Sequence, residues 1–415
     1  MGEGEFPHLQ LATRNSQSEA LMETFPAIFI GGPPHSGKSV LTYSLTQELR
    51  RRKVEHYVLR ACPDGEGDWA NEAAQQVVRT IRVKGAFTRE FVENICRDLA
   101  NRHLPLLVDV GGRPTPEQEV IFSYCTHCIL LTKDEASRAE WLDLAERHAI
   151  IVIADITSAL EGESYIIERG PVLRGVITGL HRGTTARGPV FDALVEKVAS
   201  IFDYDREELR RMHYALSPVE NIIDLDRLAG YFGLPDYGAR WEPHHLQRVF
   251  DELPFQSPMA LYGRGPNWLY AAIAVRLHPQ PLYQFDVRLG WVKPPALTWG
   301  LPSERSPVQV EIVKRPDHTR LEFKLTRAYI DYRTEASQVR IPLLPFDQGI
   351  VLSGKLPLWL WTALALAYKD ALWLAVYQPQ WKDKALVITS RADEPIVGDY
   401  VISPPVSITP NPTRV

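Results

Sequence analysis

The sequence predicts a doubly wound α/β domain followed by an α+β region built on an internal repeat. Three observations carry this prediction. Strand-like and helix-like apolar patterns alternate from about 25 to 202, a glycine-rich loop separates the first strand from the first helix, and one motif occurs twice in the second half. Short buried strands are expected at 27–30, 56–59, 104–110, 127–131 and 150–154, separated by amphipathic runs at 39–53, 72–82, 88–101, 115–124 and 134–147. Such alternation indicates a mainly parallel sheet with helices on both faces.

At 415 residues the chain exceeds one ordinary core, so more than one domain is expected. The divisions read from composition are a polar lead (1–24), the α/β domain (25–202), a connector (203–241), a first, partial copy of the repeat (242–302), a second, full copy (303–403) and a proline-rich tail (404–415). Net charge is −5 with both signs interspersed, so no basic field points to long nucleic acid. The most apolar stretch, 356–377, is split by Lys369 and Asp370, so it reads as a buried helix and a buried strand rather than a membrane span. Cys125 and Cys128 form one C-x-x-C without a second ligand pair, which reads as core cysteine in a reducing cytoplasm rather than a zinc site.

Gly32, Pro33, Pro34, His35, Ser36, Gly37, Lys38 and Ser39 fit G-x-x-x-x-G-K-[ST] between an apolar strand and a helix, the context of a phosphate-binding P-loop. Backbone N–H groups and the helix N-terminus would face the phosphates of ATP, Lys38 would reach the β/γ-phosphates, and the Ser39 hydroxyl would hold Mg²⁺. Asp109, ending the run from 104, is the expected metal partner on a Walker B strand, and Arg113 is placed to stabilise a transferring phosphoryl group. Base reading by N-K-x-D is missing, since 132–135 ends in Glu135, which argues against a guanine switch. Asp64 and Asp68 are candidates for taking an acceptor hydroxyl's proton in a kinase, with 182–188 as a basic lid.

The repeated motif runs Gly263, Arg264, Gly265, Pro266, then Trp268; its second copy runs Gly354, Lys355, Leu356, Pro357, then Trp359. Glycine lets backbone approach a ligand, the basic residue meets phosphate, and proline starts a helix. After the first helix come His278, a short strand, Asp286 and Arg288; the second copy has Asp370, Gln378 and Gln380 at those places.

The first-copy residues 263–270, His278 and 286–290 resemble the Csx-three family of CRISPR-associated ring nucleases. The whole chain is similar to the variant fused to a P-loop, AAA-like ATPase domain. The resemblance implies a relative of cyclic-oligoadenylate-binding folds that cleaves cyclic tetra-adenylate with Mn²⁺, working as a homo-oligomer that sandwiches its ligand. It implies His278 as acid/base or metal ligand, Asp286 as metal ligand or hydroxyl-orienting group, and Arg288 as phosphate-neutralising group, with Gly263, Arg264, Gly265, Pro266, Gly354 and Lys355 binding the ring. Three expectations stand open: a ring nuclease joined to an ATPase or kinase half, a cyclic-oligoadenylate sensor controlling that half, and a small-molecule or polynucleotide kinase with an oligomerisation domain.

Overall fold

A computed structural model describes residues 24–62, 87–235, 239–327 and 329–405. The first half is a seven-stranded sheet of β1 (Ala27–Gly31), β2 (Tyr57–Arg60), β3 (Leu106–Asp109), β4 (His127–Thr132), β5 (Ile151–Ala159), β6 (Tyr165–Glu168) and β7 (Leu173–Thr178), in the order β2-β3-β1-β4-β5-β7-β6. All pairings are parallel except β6 with β7. Helices α1 (Lys38–Arg51), α2 (Arg89–Ala100), the single-turn α3 (Pro116–Glu119), α4 (Glu135–Arg147) and α5 (Pro189–Ile201) cover it.

Strand alternation assigns the two faces. Phe29, Val108 and Leu130 point to a core completed by Phe91, Ile95 and Leu99 of α2 and Trp141 of α4. Ile28, Ile30, Leu107 and Ile129 point the other way, onto Leu41 and Leu45 of α1 and Leu194 and Val198 of α5. Side-chain caps start the helices where the chain supplies them: Thr88 accepts from the Phe91 amide at 3.1 Å and Asp134 from the Ser137 amide at 2.7 Å. The run predicted as a helix over 115–124 is α3 followed by a 3₁₀ turn, Val120–Tyr124. The antiparallel β6–β7 pair has no counterpart in the sequence reading: Tyr165, Ile167 and Glu168 are exposed, so the buried-strand signal is missing.

The second half contains α6 (Arg206–Ala215), β8 (Ile222–Asp224), α7 (Leu225–Tyr231), α8 (His245–Glu252), β9 (Met259–Tyr262), α9 (Asn267–Leu277), β10 (Leu282–Asp286) and β11 (Gly290–Val292). It continues through β12 (Thr298–Trp299), β13 (Val308–Lys314), β14 (His318–Leu325), β15 (Arg340–Ile341), β16 (Gly349–Gly354), α10 (Leu358–Ala367), β17 (Trp373–Tyr377), β18 (Lys384–Ser390) and β19 (Tyr400–Ile402). Two larger sheets result, β11-β10-β9-β8 and β13-β14-β16-β17-β18-β19, with β12 and β15 pairing separately.

The sequence repeat is a structural repeat. In one sheet β8, β9 and β10 run parallel and β11 returns antiparallel; in the other β14, β16, β17 and β18 do the same. Leu261 opposes Gln284 as Leu352 opposes Val376, so Gln378 occupies the place of Asp286. Pro266 (φ −69°, ψ 154°) and Pro357 (φ −64°, ψ 152°) cap α9 and α10 in one conformation. The first copy extends further toward the N-terminus than its sequence shows, because β8, inside the predicted connector, pairs with β9 in the role of β14. Only three residues long, β8 carries too short an apolar pattern to be read as a strand.

The two copies pair within one chain. Apolar on nearly every side, α9 and α10 must be buried. They pack together between the inner faces of both sheets, in one core that includes Trp268, Tyr270, Trp359, Leu261, Leu352 and Val376. Thr362 of α10 donates to Gln284 of β10 at 2.8 Å, and Gln378 bonds Asn267, so polar contacts also cross between copies. The apolar stretch 356–377 forms a buried helix and strand, and no helix among the described residues is long and apolar enough to cross a membrane.

Candidate functional site

β1 and β3 are neighbours in the sheet with Ile30 opposite Asp109, so the glycine-rich loop after β1 and the aspartate ending β3 emerge side by side. Gly32 takes φ 151°, and a Cβ there would meet the Leu131 carbonyl oxygen at 2.1 Å, so the turn requires glycine. Lys38, in the first turn of α1, folds back over this loop: its ammonium donates to the carbonyls of Gly32 and Pro33, each at 2.8 Å. Burial lowers its pKa to about 8 against the opposing pull of Asp109. Ser36 is buried with its hydroxyl unpaired inside the loop. Lys133 reaches the Pro34 carbonyl at 3.4 Å and Leu180 lies against Gly37, whereas Ala186 of the predicted basic lid, 182–188, donates its amide to the Ser44 hydroxyl of α1 at 2.8 Å.

Asp109 is 2% exposed and pairs with Arg60 of β2 at 3.3 Å. The Asp109 carboxylate and the Ser39 hydroxyl, at the start of α1, are both hard oxygen donors, the ligand type that Mg²⁺ prefers. Arg113 is largely exposed and pairs with Glu140 at 3.3 Å. Asp64 and Asp68 lie outside the described residues. Cys125 and Cys128 are free, buried thiols; burial pushes Cys125 up to about 12, and no three metal-ligating side chains cluster among the described residues.

The first copy contributes a second set of charged groups at the carboxyl end of its sheet. Asp286 ends β10, accepts from the Arg288 amide at 2.9 Å and lies 3.5 Å from the Arg288 guanidinium, which stands 5.4 Å from the Tyr329 ring centre. Arg264, after β9, pairs with Glu55 at 3.0 Å. A cavity of about 760 Å³ opens between these residues, the edge strand β2 and helix α6, with Arg60, Arg264, Asp286, Arg288 and Lys355 on its wall.

His278 does not join them. It is exposed at the end of α9, before β10, whereas Asp286 and Arg288 follow that strand. At roughly 3.3 Å per residue the two ends of β10 lie on the order of 13 Å apart. One chain therefore does not bring His278 and Asp286 around a shared Mn²⁺. The sequence placed them near each other because they bracket a strand, but a strand separates what it brackets.

Sequence reasoning also missed the groups that seat the repeated half against the α/β half. His213 of α6 is 2% exposed: its Nδ1 lies 2.8 Å from the Tyr262 hydroxyl, and its Nε2 lies 2.8 Å from the His103 carbonyl. That carbonyl only accepts, so Nε2 carries the proton and Nδ1 accepts from Tyr262. Burial lowers the His213 pKa to about 4. Asp98 of α2 accepts from the Tyr329 hydroxyl at 3.2 Å, and burial raises it to about 6. Arg97 pairs with buried Asp331 at 3.2 Å.

Residues 324–402 match the family model described as CRISPR-associated protein (Cas_csx3). The chain thus contains a CRISPR-associated Csx3-family region. It spans most of the second copy, from the end of β14 to β19, and is the copy that carries Asp370, Gln378 and Gln380 in place of His278, Asp286 and Arg288. No curated protein matches the chain.

Proposed function

We propose that this protein is a CRISPR-associated enzyme whose α/β half binds ATP with Mg²⁺ and whose repeated half binds and opens cyclic tetra-adenylate. One observation carries the reading: the strand register sets Asp109 beside the start of the glycine-rich loop over which Lys38 folds, and Arg60 links Asp109 to the wall that bears Arg264, Asp286 and Arg288. Two phosphate-handling groups of residues are thereby joined in one chain that contains a Csx3-family region.

In the ATP half the Gly32–Ser39 loop acts as a P-loop. Lys38 moves from its own loop carbonyls to the β/γ-phosphates, whose charge replaces those contacts. Asp109 and Ser39 would hold Mg²⁺, which would offset charge on the phosphates. In the other half a ribose 2′-hydroxyl attacks the adjacent phosphorus, and the bond to the 5′-oxygen breaks. The product is linear, with a cyclic phosphate at one end and a 5′-hydroxyl at the other. Asp286 orients the attacking hydroxyl and Arg288 neutralises the phosphate; nucleophile and phosphorus share one molecule, so positioning dominates the rate. His278 enters this site only from a second copy of the chain, which makes the active species an oligomer.

The altered residues of the matched copy favour a second reading, a cyclic-oligoadenylate sensor that controls ATP turnover. Incubating the full chain with cyclic tetra-adenylate and ATP and resolving both sets of products separates the two. Linear adenylate establishes the nuclease; an intact ring that changes the rate of ATP turnover establishes the sensor. An intact ring without effect on ATP removes both. For the nuclease, mixing inactive His278→Ala with inactive Asp286→Ala chains restores part of the cleavage, because each supplies the group the other lacks.

A further inference from the structure

The cavity between the two halves belongs to neither motif alone. Its described wall carries seven cationic side chains (Arg50, Arg60, Arg206, Arg210, Arg264, Arg288 and Lys355) against three carboxylates (Glu55, Asp226 and Asp286). Tyr57, Phe91, Tyr262, Phe285 and Tyr329 add aromatic surface. Arg60 and Arg210 also pair with Asp109, Asp224 and Glu207, which do not line the cavity; guanidinium and ammonium groups suit phosphate, and aromatic rings suit the face of a base. At about 760 Å³ the space lies within the range of small-ligand sites and is too small for a polymer.

The cavity wall also includes a partner of Asp109. Arg60 contributes to the wall and lies 3.3 Å from Asp109. Cys62 lies on the same wall, and a Cβ at Gly111, two residues beyond Asp109, would lie 3.3 Å from the Cys62 Cβ. The wall therefore adjoins the end of β3.

Resting on the reading of the Gly32–Ser39 loop as an ATP site, the geometry points to this cavity as an acceptor site for a short linear nucleotide with a free 5′-hydroxyl. That 5′-oxygen attacks the γ-phosphorus of ATP. A new oxygen–phosphorus bond forms, the bond from the γ-phosphorus to the β,γ-bridging oxygen breaks, ADP leaves with the bond's electron pair, and the hydroxyl proton passes to solvent. Arg264 and Arg288 hold the acceptor's phosphate, and the rings pack on its bases. The chain would thus phosphorylate the kind of end that ring opening creates.

The test uses the full chain with γ-labelled ATP and Mg²⁺ and the linear dinucleotide ApAp, which has a 5′-hydroxyl and a 3′-phosphate. Binding is read by calorimetry in a non-hydrolysable ATP analogue, and transfer by label on the dinucleotide. ApAp is expected to bind and to acquire label. Arg50→Glu, at the exposed rim, and Arg264→Glu each weaken ApAp binding about tenfold or more, and Arg50→Glu leaves ATP binding unchanged. Wild-type ApAp affinity in both variants overturns the site. ADP formation without label on bound ApAp overturns the acceptor role. Absence of ApAp binding, with ATP binding intact and abolished by Lys38→Ala, overturns this inference alone; absence of ATP binding overturns both it and the reading beneath it.

Discussion

Lys38 has a motif role and a measurable ionisation. Its two carbonyl contacts fix the ammonium over the loop, and burial brings its pKa to about 8 from the ordinary lysine value. Phosphate binds the protonated form, so ATP affinity should hold below pH 8 and fall by up to about tenfold per pH unit above it. Calorimetric titration between pH 7 and 9.5 measures this; an affinity flat across that range contradicts the assignment. Lys38→Ala should abolish ATP binding at every pH. The residue types of this loop were legible because glycine and lysine at fixed spacing carry the chemistry themselves. The pairing of Asp109 with Arg60 was not, because it depends on β2 lying beside β3 in space.

Among the elements, the two helices of the repeat make the sharpest test of how the copies are joined. The buried Thr362 hydroxyl donates to Gln284, across the boundary between copies. Thr362→Val should cost about 1–3 kcal/mol by leaving the Gln284 carbonyl without this donor. Adding Gln284→Met should recover part of that loss, so denaturant unfolding of the two singles and the double reads the coupling directly. Helices and long buried strands were visible in the sequence because their apolar periodicity is strong. What it hid was β8, too short for a pattern, and the β6–β7 pair, too exposed for one. The trio at β10 failed for a geometric reason: closeness in sequence across an extended strand is distance in space.

Across the whole molecule, the halves meet through groups whose charge state matters. His213 is held neutral between the His103 carbonyl and the Tyr262 hydroxyl, with a pKa of about 4 against about 6.5 in the unfolded chain. The unfolded chain binds the extra proton first, so this stability is present above pH 6.5 and is lost as pH falls toward 4, at a cost on the order of 3 kcal/mol. His213→Gln should flatten the fall in unfolding midpoint between pH 6.5 and 4; an unchanged slope would show that the ring does not control the contact. Nothing in the sequence announced this contact, since a lone histidine in a charged helix has no pattern of its own. At the other end of β3, Asp109 interacts electrostatically with Lys38 and lies 3.3 Å from Arg60. A ligand that draws Lys38 away leaves more of that negative charge to Arg60, and a ligand that engages Arg60 returns it to Lys38. Thermodynamics then demands reciprocity: by whatever factor ATP alters affinity in the neighbouring cavity, the cavity's occupant must alter affinity for ATP by the same factor.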